Sequence, residues 1–273
     1  MTETILELKN ISYKYPGASD IALDDLSIKI SSKEKISILG KNGMGKSTMF
    51  LISNGVIRPA KGKVYLNGDE VSDKKADLFN LRKTIGLVFQ DPDSQFIAPR
   101  VFEEISFGPL NAGKSQAEAK TIVEKIISDL EISDLEEKSL YSLSGGEKKI
   151  VSIASVLALE PKIIFFDEPT AGLDNINTAR FKRVIDGLYK RDIGLVISTH
   201  EVDFAWEWSD RTIIIKDGRV FADGPSDMIM TDKDLMAEAE LRRPYLVEFA
   251  ERVQKNSDEI IYPRSLEDLE KIL

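Results

Sequence analysis

The most restrictive feature of this sequence is a glycine-rich stretch in its first quarter. It runs Gly40-Lys41-Asn42-Gly43-Met44-Gly45-Lys46-Ser47-Thr48 and fits the pattern of Gly, any four residues, then Gly-Lys-Ser or Gly-Lys-Thr. The apolar residues 35–39 before it predict a buried strand, and residues 47–52 after it predict the first turns of a helix. A strand, a tight turn and a helix in this order form the context that a phosphate-binding loop requires.

The residue types in this loop are suited to binding an anion. Glycines at 40, 43 and 45 reach positive φ and leave room for backbone N–H groups to point at one phosphate. The N-terminus of the following helix adds partial positive charge. Lys46 is then predicted to bind the outer phosphates, and the Ser47 hydroxyl to bind Mg²⁺. The alternative is a glycine-rich turn that ends in an exposed lysine.

The composition of the chain limits which partners and sites it can have. The chain has 273 residues, enough for one large domain or two small ones. Its net charge of −9 argues against nucleic acid as the main partner, and the lack of cysteine excludes disulfides and thiolate metal sites. The start shows no secretion signal, and no apolar run reaches the about 18–20 residues that span a bilayer. Any membrane role is therefore expected to come through a partner protein.

Two further buried strands are predicted to end in polar residues. Residues 84–89 precede Gln90, and residues 194–199 precede His200, the single histidine of the chain. Polar residues at the carboxyl ends of strands in an α/β sheet point into the ligand crevice. Gln90 is predicted to bring its amide oxygen to Mg²⁺ or the attacking water, and His200 to contact the γ-phosphate. Elsewhere in a protein, a lone histidine is usually a surface or core residue.

The apolar residues 163–166 end in Asp167 and Glu168. Because successive strand side chains point in opposite directions, the two acids are predicted to have different roles. One would hold Mg²⁺, and the other would accept a proton from the attacking water. A purely structural role is disfavoured, since two buried carboxylates are costly without a cation. With the phosphate loop, four strand ends are predicted to meet at one crevice.

Residues 91–160 show helical patterns instead of the strand patterns that precede them. They predict an inserted helical subdomain, with helices over 117–130 and 147–159. Between these helices lies Leu143-Ser144-Gly145-Gly146-Glu147. A serine and two glycines that open a helix can form a second anion site. The alternative is a plain serine N-cap with Glu147 in the capping position.

The flanking regions give weaker predictions. Alternation over residues 4–30 and the Asn-Gly and Asp-Gly pairs at 67–68 and 217–218 predict antiparallel strands and hairpins. Tyr15 either stacks on a nucleotide base or covers a sheet edge. Residues 225–273 are predicted helical, with apolar faces that pack either on their own domain or on a partner: Leu246, Phe249 and Val253, then Leu266, Leu269 and Ile272 or Leu273.

With these motifs in hand, the chain resembles the ATP-binding-cassette ATPases over about residues 4–225. The resemblance implies an α/β fold: a P-loop NTPase core of RecA-like type, an antiparallel β subdomain, an inserted helical signature subdomain and a C-terminal helical extension. It places the nucleotide-binding domain at 1–231, the helical subdomain at about 91–160, and a dimerisation extension at 232–273. Met44 and Glu147 are mild departures from the family pattern.

The resemblance also implies roles and cofactors, namely ATP and Mg²⁺. Glu168 would be the catalytic base, assisted by His200 and Gln90. The metal ligands would be Ser47, Gln90 and Asp167. The nucleotide would contact Tyr15 and residues 40–48 of one copy, and Ser144, Gly145, Gly146 and Glu147 of a second copy placed head to tail. That second copy would be an identical chain or a related ATPase.

Within the family, residues 86–96, 98–99 and 107–111 resemble the ATP subunits of energy-coupling-factor importers, and 200–205 and 241–244 resemble those that serve cobalt or nickel uptake. This implies a transmembrane scaffold, a substrate-binding membrane protein, a place at the cytoplasmic face of the membrane, and no nucleic acid. Alternatives are a vitamin importer, a soluble cassette ATPase acting on DNA or ribosomes, or a regulator without turnover. One cassette per chain, acidic charge and intact catalytic positions disfavour the last two.

Overall fold

The computed structural model describes residues 3–255 and 260–271, and its strands form two sheets. The antiparallel sheet has the order β2-β1-β4-β5, and the larger sheet has the order β10-β9-β3-β8-β7-β6. The strands are β1 (Thr4–Tyr13), β2 (Leu23–Ser31), β3 (Lys35–Leu39), β4 (Lys61–Leu66), β5 (Asp69–Glu70), β6 (Ile85–Val88), β7 (Ile163–Asp167), β8 (Gly194–Ser198), β9 (Arg211–Lys216) and β10 (Arg219–Pro225).

The two sheets differ in how their strands are buried. In β2, Leu26, Ile28 and Ile30 are buried and the residues between them are exposed, as expected for a sheet packed on one face. In the larger sheet, β9, β3, β8, β7 and β6 are parallel, and β6, β7 and β8 are buried throughout. Covering on both faces explains the continuous apolar runs that predicted these strands. Both predicted hairpins are present.

Helices cover both faces of the parallel sheet. They are α1 (Lys46–Ser53), α2 (Lys75–Thr84), α3 (Val101–Asn111), α4 (Gln116–Asp129), α5 (Gly145–Leu157), α6 (Asn175–Tyr189), α7 (Val202–Trp208), α8 (Ser226–Thr231), α9 (Lys233–Glu238), α10 (Tyr245–Val253) and α11 (Leu266–Glu270). Helices α3–α5 lie within residues 91–160, where the sequence predicts a helical subdomain. In the described part of the chain, none of these helices is both long and apolar enough to cross a membrane.

Aromatic contacts mark the two faces of the parallel sheet. On one face Phe50 of α1 packs edge-on against Phe165 of β7, at 4.7 Å between ring centroids. On the other face Phe166 packs against Phe181 of α6 at 5.6 Å. The first face is covered by α1 and the antiparallel sheet, and the second by α6 and the helical subdomain. Adjacent residues of one strand therefore serve two core layers, as the alternation of a strand requires.

Periodicity predicts α4 and α5 but not α3. The prolines at 99 and 109 obscured this helix, although Pro109 lies in its last turn. At that position a proline removes one hydrogen bond of the helix, while the buried Val101 and Ile105 anchor the first turns in the core. Tertiary packing therefore outweighs the local signal.

The C-terminal helices share a core with the parallel sheet and α7. Val247 and Met236 pack in one buried cluster with Leu39 and Trp206. Along α10, however, Phe249 and Val253 are 43% and 46% exposed, so only part of the predicted apolar face packs on its own domain. The predicted positions Ile272 and Leu273 lie outside the described residues, as do residues 256–259 of the extension.

Candidate functional site

Four neighbouring strands, β3, β8, β7 and β6, end at the same edge of the parallel sheet. Each is followed by residues that the sequence marks as functional. Residues from all four ends line one cavity of about 470 Å³, as predicted. The lining residues are Tyr15, Asp20, Ile21, Ala22, Asn42, Gly43, Gly45, Lys46, Ser47, Thr48, Gln90, Glu168 and His200.

The phosphate loop depends on its glycines for conformation and clearance. Gly40, Gly43 and Gly45 have φ of 149°, 84° and 98°. A Cβ on Gly45 would lie 2.3 Å from the carbonyl oxygen of Ala22, and one on Gly40 would lie 2.4 Å from that of Ile215. No other residue fits either position, because real Cβ atoms do not approach backbone this closely. The loop is therefore held against β9 and the residue before β2, and α1 begins within the motif at Lys46.

Lys46 is buried at the start of α1. Its Nζ donates hydrogen bonds to the carbonyl oxygens of Gly40 at 2.6 Å and Lys41 at 3.2 Å, and lies 3.7 Å from Oε1 of Glu168. Burial lowers the pKa of Lys46, and the nearby carboxylates of Glu168 and Asp167 partly oppose this. A buried cation thus stands beside the two acids, as their burial requires.

The two acids after β7 have separate surroundings. Oδ1 of Asp167 accepts a hydrogen bond from the Ser198 hydroxyl at 2.6 Å. Glu168 lies past the end of the strand with φ of 42°, and its N–H donates to the Ser198 carbonyl at 3.1 Å. The two acids therefore differ in their surroundings, and strand alternation is not the whole reason, while their different roles stay a prediction. A left-handed backbone at Glu168 turns its side chain toward the cavity.

Glu168 contacts His200 directly. Its Oε2 lies 2.9 Å from Nδ1 of His200, whose side chain is 59% exposed at the cavity. Its other oxygen, Oε1, is buried and accepts no hydrogen bond from the described residues. A buried carboxylate oxygen with free lone pairs beside the phosphate loop can accept a proton or a water molecule.

Tyr15 lines the cavity. Its ring is 40% exposed and packs edge-on against Tyr13 at 5.0 Å, and its hydroxyl lies 3.2 Å from Oγ1 of Thr48. Asp20 and Ile21 also line the cavity, and the sequence reasoning missed them. Their position between an aromatic turn and β2 was the available signal.

Two predicted nucleotide-binding residues direct their side chains elsewhere. Lys41 forms an ion pair with Glu240 of the C-terminal segment. The sulfur of Met44 accepts a hydrogen bond from the N–H of Asp217 at 3.3 Å. Neither residue lines the cavity, so each could contact a phosphate through its backbone and not through its side chain.

The stretch Leu143-Ser144-Gly145-Gly146-Glu147, here called the signature, lies outside this cavity, at the start of α5. The Ser144 hydroxyl accepts from the N–H of Glu147 at 3.3 Å, and Oε2 of Glu147 accepts from the N–H of Ser144 at 2.7 Å. The hydrogen bond that the Ser144 N–H donates to the carboxylate, together with the nearby Ser144 hydroxyl, lowers the pKa of Glu147. The capping box is thus present. Ser144 and Gly145 are exposed, so a second anion site facing another chain stays a prediction.

Lys149, one turn further along α5, was not predicted. Its Nζ donates to the carbonyl oxygens of Phe89 at 3.0 Å and Gln90 at 2.8 Å, although the residue is only 2% exposed. Burial lowers the pKa of Lys149 to about 8, while Asp167 and Asp91 act in the opposite direction. The signal in the sequence was a lysine directly before the buried, apolar Ile150 and Val151.

The oxygen atoms at this edge suit Mg²⁺. Ser47 and Gln90 line the cavity, and Asp167 lies directly before Glu168 at its wall. In the described part of the chain, no group of three or more histidine, cysteine or acidic side chains forms a metal site by itself.

A comparison with protein-family models decides the family. The model of the ABC transporter family matches residues 23–171, from β2 through the phosphate loop, the signature and the two acids. The chain belongs to the ABC transporter family. As an ABC transporter ATPase domain, it binds ATP and is an ATPase.

Relatives of this ABC ATPase span nearly its full length. It is 42% identical to the cobalt import ATP-binding protein CbiO of Rhodobacter capsulatus, over 90% of this chain and 88% of that one. It is 41% identical to the energy-coupling factor transporter ATP-binding protein EcfA of Methanosphaera stadtmanae, over 92% of this chain and 90% of that one.

Solved structures confirm the fold. CbiO1 from Clostridium perfringens, described as part of the transporter complex cbiONQ, aligns with a TM-score of 0.76 and 32% identity, over 91% of this chain and 99% of that one. A dimeric cassette bound to ADP and phosphate aligns with a TM-score of 0.73 and 27% identity, over 81% of this chain and 99% of that one.

Proposed function

We propose that this ABC ATPase energises an energy-coupling-factor importer for cobalt or nickel ions. The observation that carries the proposal is its similarity, along nearly the whole chain, to a cobalt import ATP-binding protein. The almost equal similarity to EcfA makes vitamin import the second candidate. The solute would bind to another subunit, so the geometry of this chain supports the energising role and not one solute.

We propose that the cavity holds ATP between Tyr15 and the phosphate loop. Tyr15 is half-exposed at the mouth, where its ring can stack on adenine. Loop N–H groups and the start of α1 would bind the β- and γ-phosphates. Lys46 would exchange the carbonyl oxygens of Gly40 and Lys41 for phosphate oxygens, which places its charge beside the transferred group.

In this proposal Glu168 takes the proton of the attacking water. Its Oε1 is buried and has no hydrogen-bond donor among the described residues, while Oε2 is held near His200. His200 would orient Glu168 and contact the γ-phosphate. Ser47, Gln90 and Asp167 would hold Mg²⁺, which neutralises charge on the phosphates when bound.

The proposed assembly has two cassettes and membrane partners. Ser144, Gly145, Gly146 and Glu147 of one copy would complete the ATP site of the other, because they are outside the cavity of their own chain. A transmembrane scaffold and a substrate-binding membrane protein would hold the pair at the cytoplasmic face. We propose no nucleic-acid partner, in line with the net charge of −9.

The test is a pull-down of the tagged protein from detergent-solubilised native membranes, followed by mass spectrometry. We expect a multi-helix scaffold and a small substrate-binding membrane protein, and the metal or vitamin bound by the latter identifies the solute. Recovery of ribosomes or DNA-repair proteins, or of no membrane protein, would contradict the importer and leave the ATPase intact.

A further inference from the structure

The segment after β6 is tied to the signature helix α5 by side chains. Lys149 donates to the carbonyl oxygens of Phe89 and Gln90 at 3.0 and 2.8 Å. Gln95 accepts from the N–H of Phe89 at 3.2 Å and donates to the carbonyl oxygen of Ser152 at 2.9 Å. Because β6 ends one residue before Phe89, these backbone groups bond to side chains rather than to a neighbouring strand.

Lys149 is the buried member of this set. Its side chain lies inside the protein, and the carboxylates of Asp167 and Asp91 are the charges that act on it. A buried ammonium group is costly unless it is hydrogen-bonded, and charge-assisted hydrogen bonds to carbonyl oxygens are among the strong ones. Lys149 is not among the residues that line the ATP cavity. Any effect on hydrolysis must therefore pass through the residues that it holds.

We propose that Lys149 is a positioning residue that sets Gln90 at the ATP cavity from the signature helix. The inference rests on the proposed role of Gln90 at Mg²⁺ and the attacking water. Helix α5 begins at Gly145 with Ser144 as its cap, and Lys149 follows within its first two turns. A shift of α5 when Ser144 meets the second copy's nucleotide therefore moves the backbone of Gln90 with it.

The test measures kcat and KM for MgATP in the full chain. Lys149→Met keeps most of the side-chain volume and removes both donors. We expect kcat to fall about tenfold or more, since small misplacements of a catalytic group have large effects, while KM stays within about threefold. Lys148→Met is the matched control, because Lys148 is the neighbouring lysine on α5, and its Nζ binds the exposed carboxylate of Asp93 instead of either backbone carbonyl. We expect its kcat to stay close to that of the wild type.

A double-variant cycle separates positioning from general destabilisation. If Lys149 acts through Gln90, then Lys149→Met combined with Gln90→Ala should be no slower than Gln90→Ala alone. The inference is overturned if the kcat losses of the two single variants multiply in the double variant, or if Lys149→Met keeps the wild-type kcat. In both cases the role of Gln90 stands. A wild-type kcat in Gln90→Ala would instead refute the proposed role of Gln90, and the inference with it.

Thermal unfolding shows whether Lys149→Met still folds. If it loses a cooperative transition, Gln95→Leu replaces it in the cycle, since this variant cuts the other link between Phe89 and α5. The same non-additivity with Gln90→Ala is expected, and additive losses would again overturn the inference. Lys149→Arg, which keeps charged donors, should retain kcat within about threefold of the wild type.

Discussion

Among single residues, Glu168 shows most clearly how the fold positions a side chain for the proposed reaction. Its carboxylate is buried, is 3.7 Å from the ammonium group of Lys46 and touches the ring of His200. Its positive φ is uncommon for a residue other than glycine and costs free energy that other interactions must offset. Here the Ser198 carbonyl and hydroxyl both bind its N–H. The strained backbone and the free oxygen Oε1 occur together at the proposed base.

We predict that Glu168→Gln abolishes turnover and keeps ATP bound. The amide has nearly the same shape but cannot accept the proton, so kcat should fall by about 10²- to 10⁴-fold. Phosphate release and equilibrium binding of labelled ATP give the two readouts. Glu207→Gln, at an exposed position of α7 that pairs with Lys182, is the control. Near-normal turnover in Glu168→Gln would show that another group is the base.

At the scale of elements, α7 connects His200 to the C-terminal segment. This helix begins two residues after His200. The indole N–H of Trp206 donates to the carbonyl oxygen of Pro263 at 2.7 Å, and Arg264 donates to the carbonyl oxygens of Trp206 and Ser209 at 2.6 and 2.9 Å. Burial lowers the pKa of the Arg264 guanidinium. A segment more than fifty residues away along the chain thus fixes α7.

We predict that Arg264→Ala loosens α7. The loss of two charged hydrogen bonds and of the contact with the Trp206 ring should lower the free energy of unfolding by about 1.5–3 kcal/mol. The two tryptophans of the chain, Trp206 and Trp208, both lie in α7, so urea unfolding followed by fluorescence reports on this helix. Arg252→Ala on the exposed side of α10 should change little. Equal stability of both variants would contradict the role of Arg264.

At the scale of the whole molecule, the C-terminal segment has an inner and an outer side. Its inner side buries Val247 against Trp206, so truncation at 232 would expose the core as well as remove an interface. Its outer side presents Tyr245, Phe249 and Val253 on α10, at 65%, 43% and 46% exposure. These residues recur every four positions and form one apolar strip. The proposed dimerisation extension is best tested on this strip.

We predict that Phe249→Glu weakens self-association without ATP. A charge in an apolar interface should raise the dimer dissociation constant at least about tenfold. Sedimentation velocity over a concentration series measures it. Met228→Glu, on the exposed side of α8 at 69% exposure, is the control for a new surface charge. An unchanged dimer dissociation constant would mean that the strip contacts another partner or none.

We also predict that two inactive variants restore activity when mixed. Ser144→Arg damages the signature and Lys46→Ala the phosphate loop, so each alone should lack turnover. Mixed pairs keep one complete site, so an equimolar mixture should recover up to about one quarter of wild-type activity. Native mass spectrometry verifies that mixed pairs form. No recovery from verified mixed pairs would argue against sites shared between chains.

The sequence alone determined the core of this protein, because its signals are local. Gly40 to Thr48 specify the loop through backbone freedom and one cation. The apolar runs before Gln90, Asp167 and His200 specify buried parallel strands, and parallel strands place their carboxyl ends at one edge. These rules were enough to predict the cavity and most of its lining.

Only the tertiary structure decided features that depend on contacts between distant segments. Proline in α3 hid a helix that packing stabilises. The left-handed turn at Glu168 depends on Ser198 of the next strand, and the hydrogen bonds of Lys149 join α5 to the end of β6. Which side of α10 is exposed follows from what α7 and β3 bury. Such contacts have no local signature, because each needs two parts of the chain to be in place first.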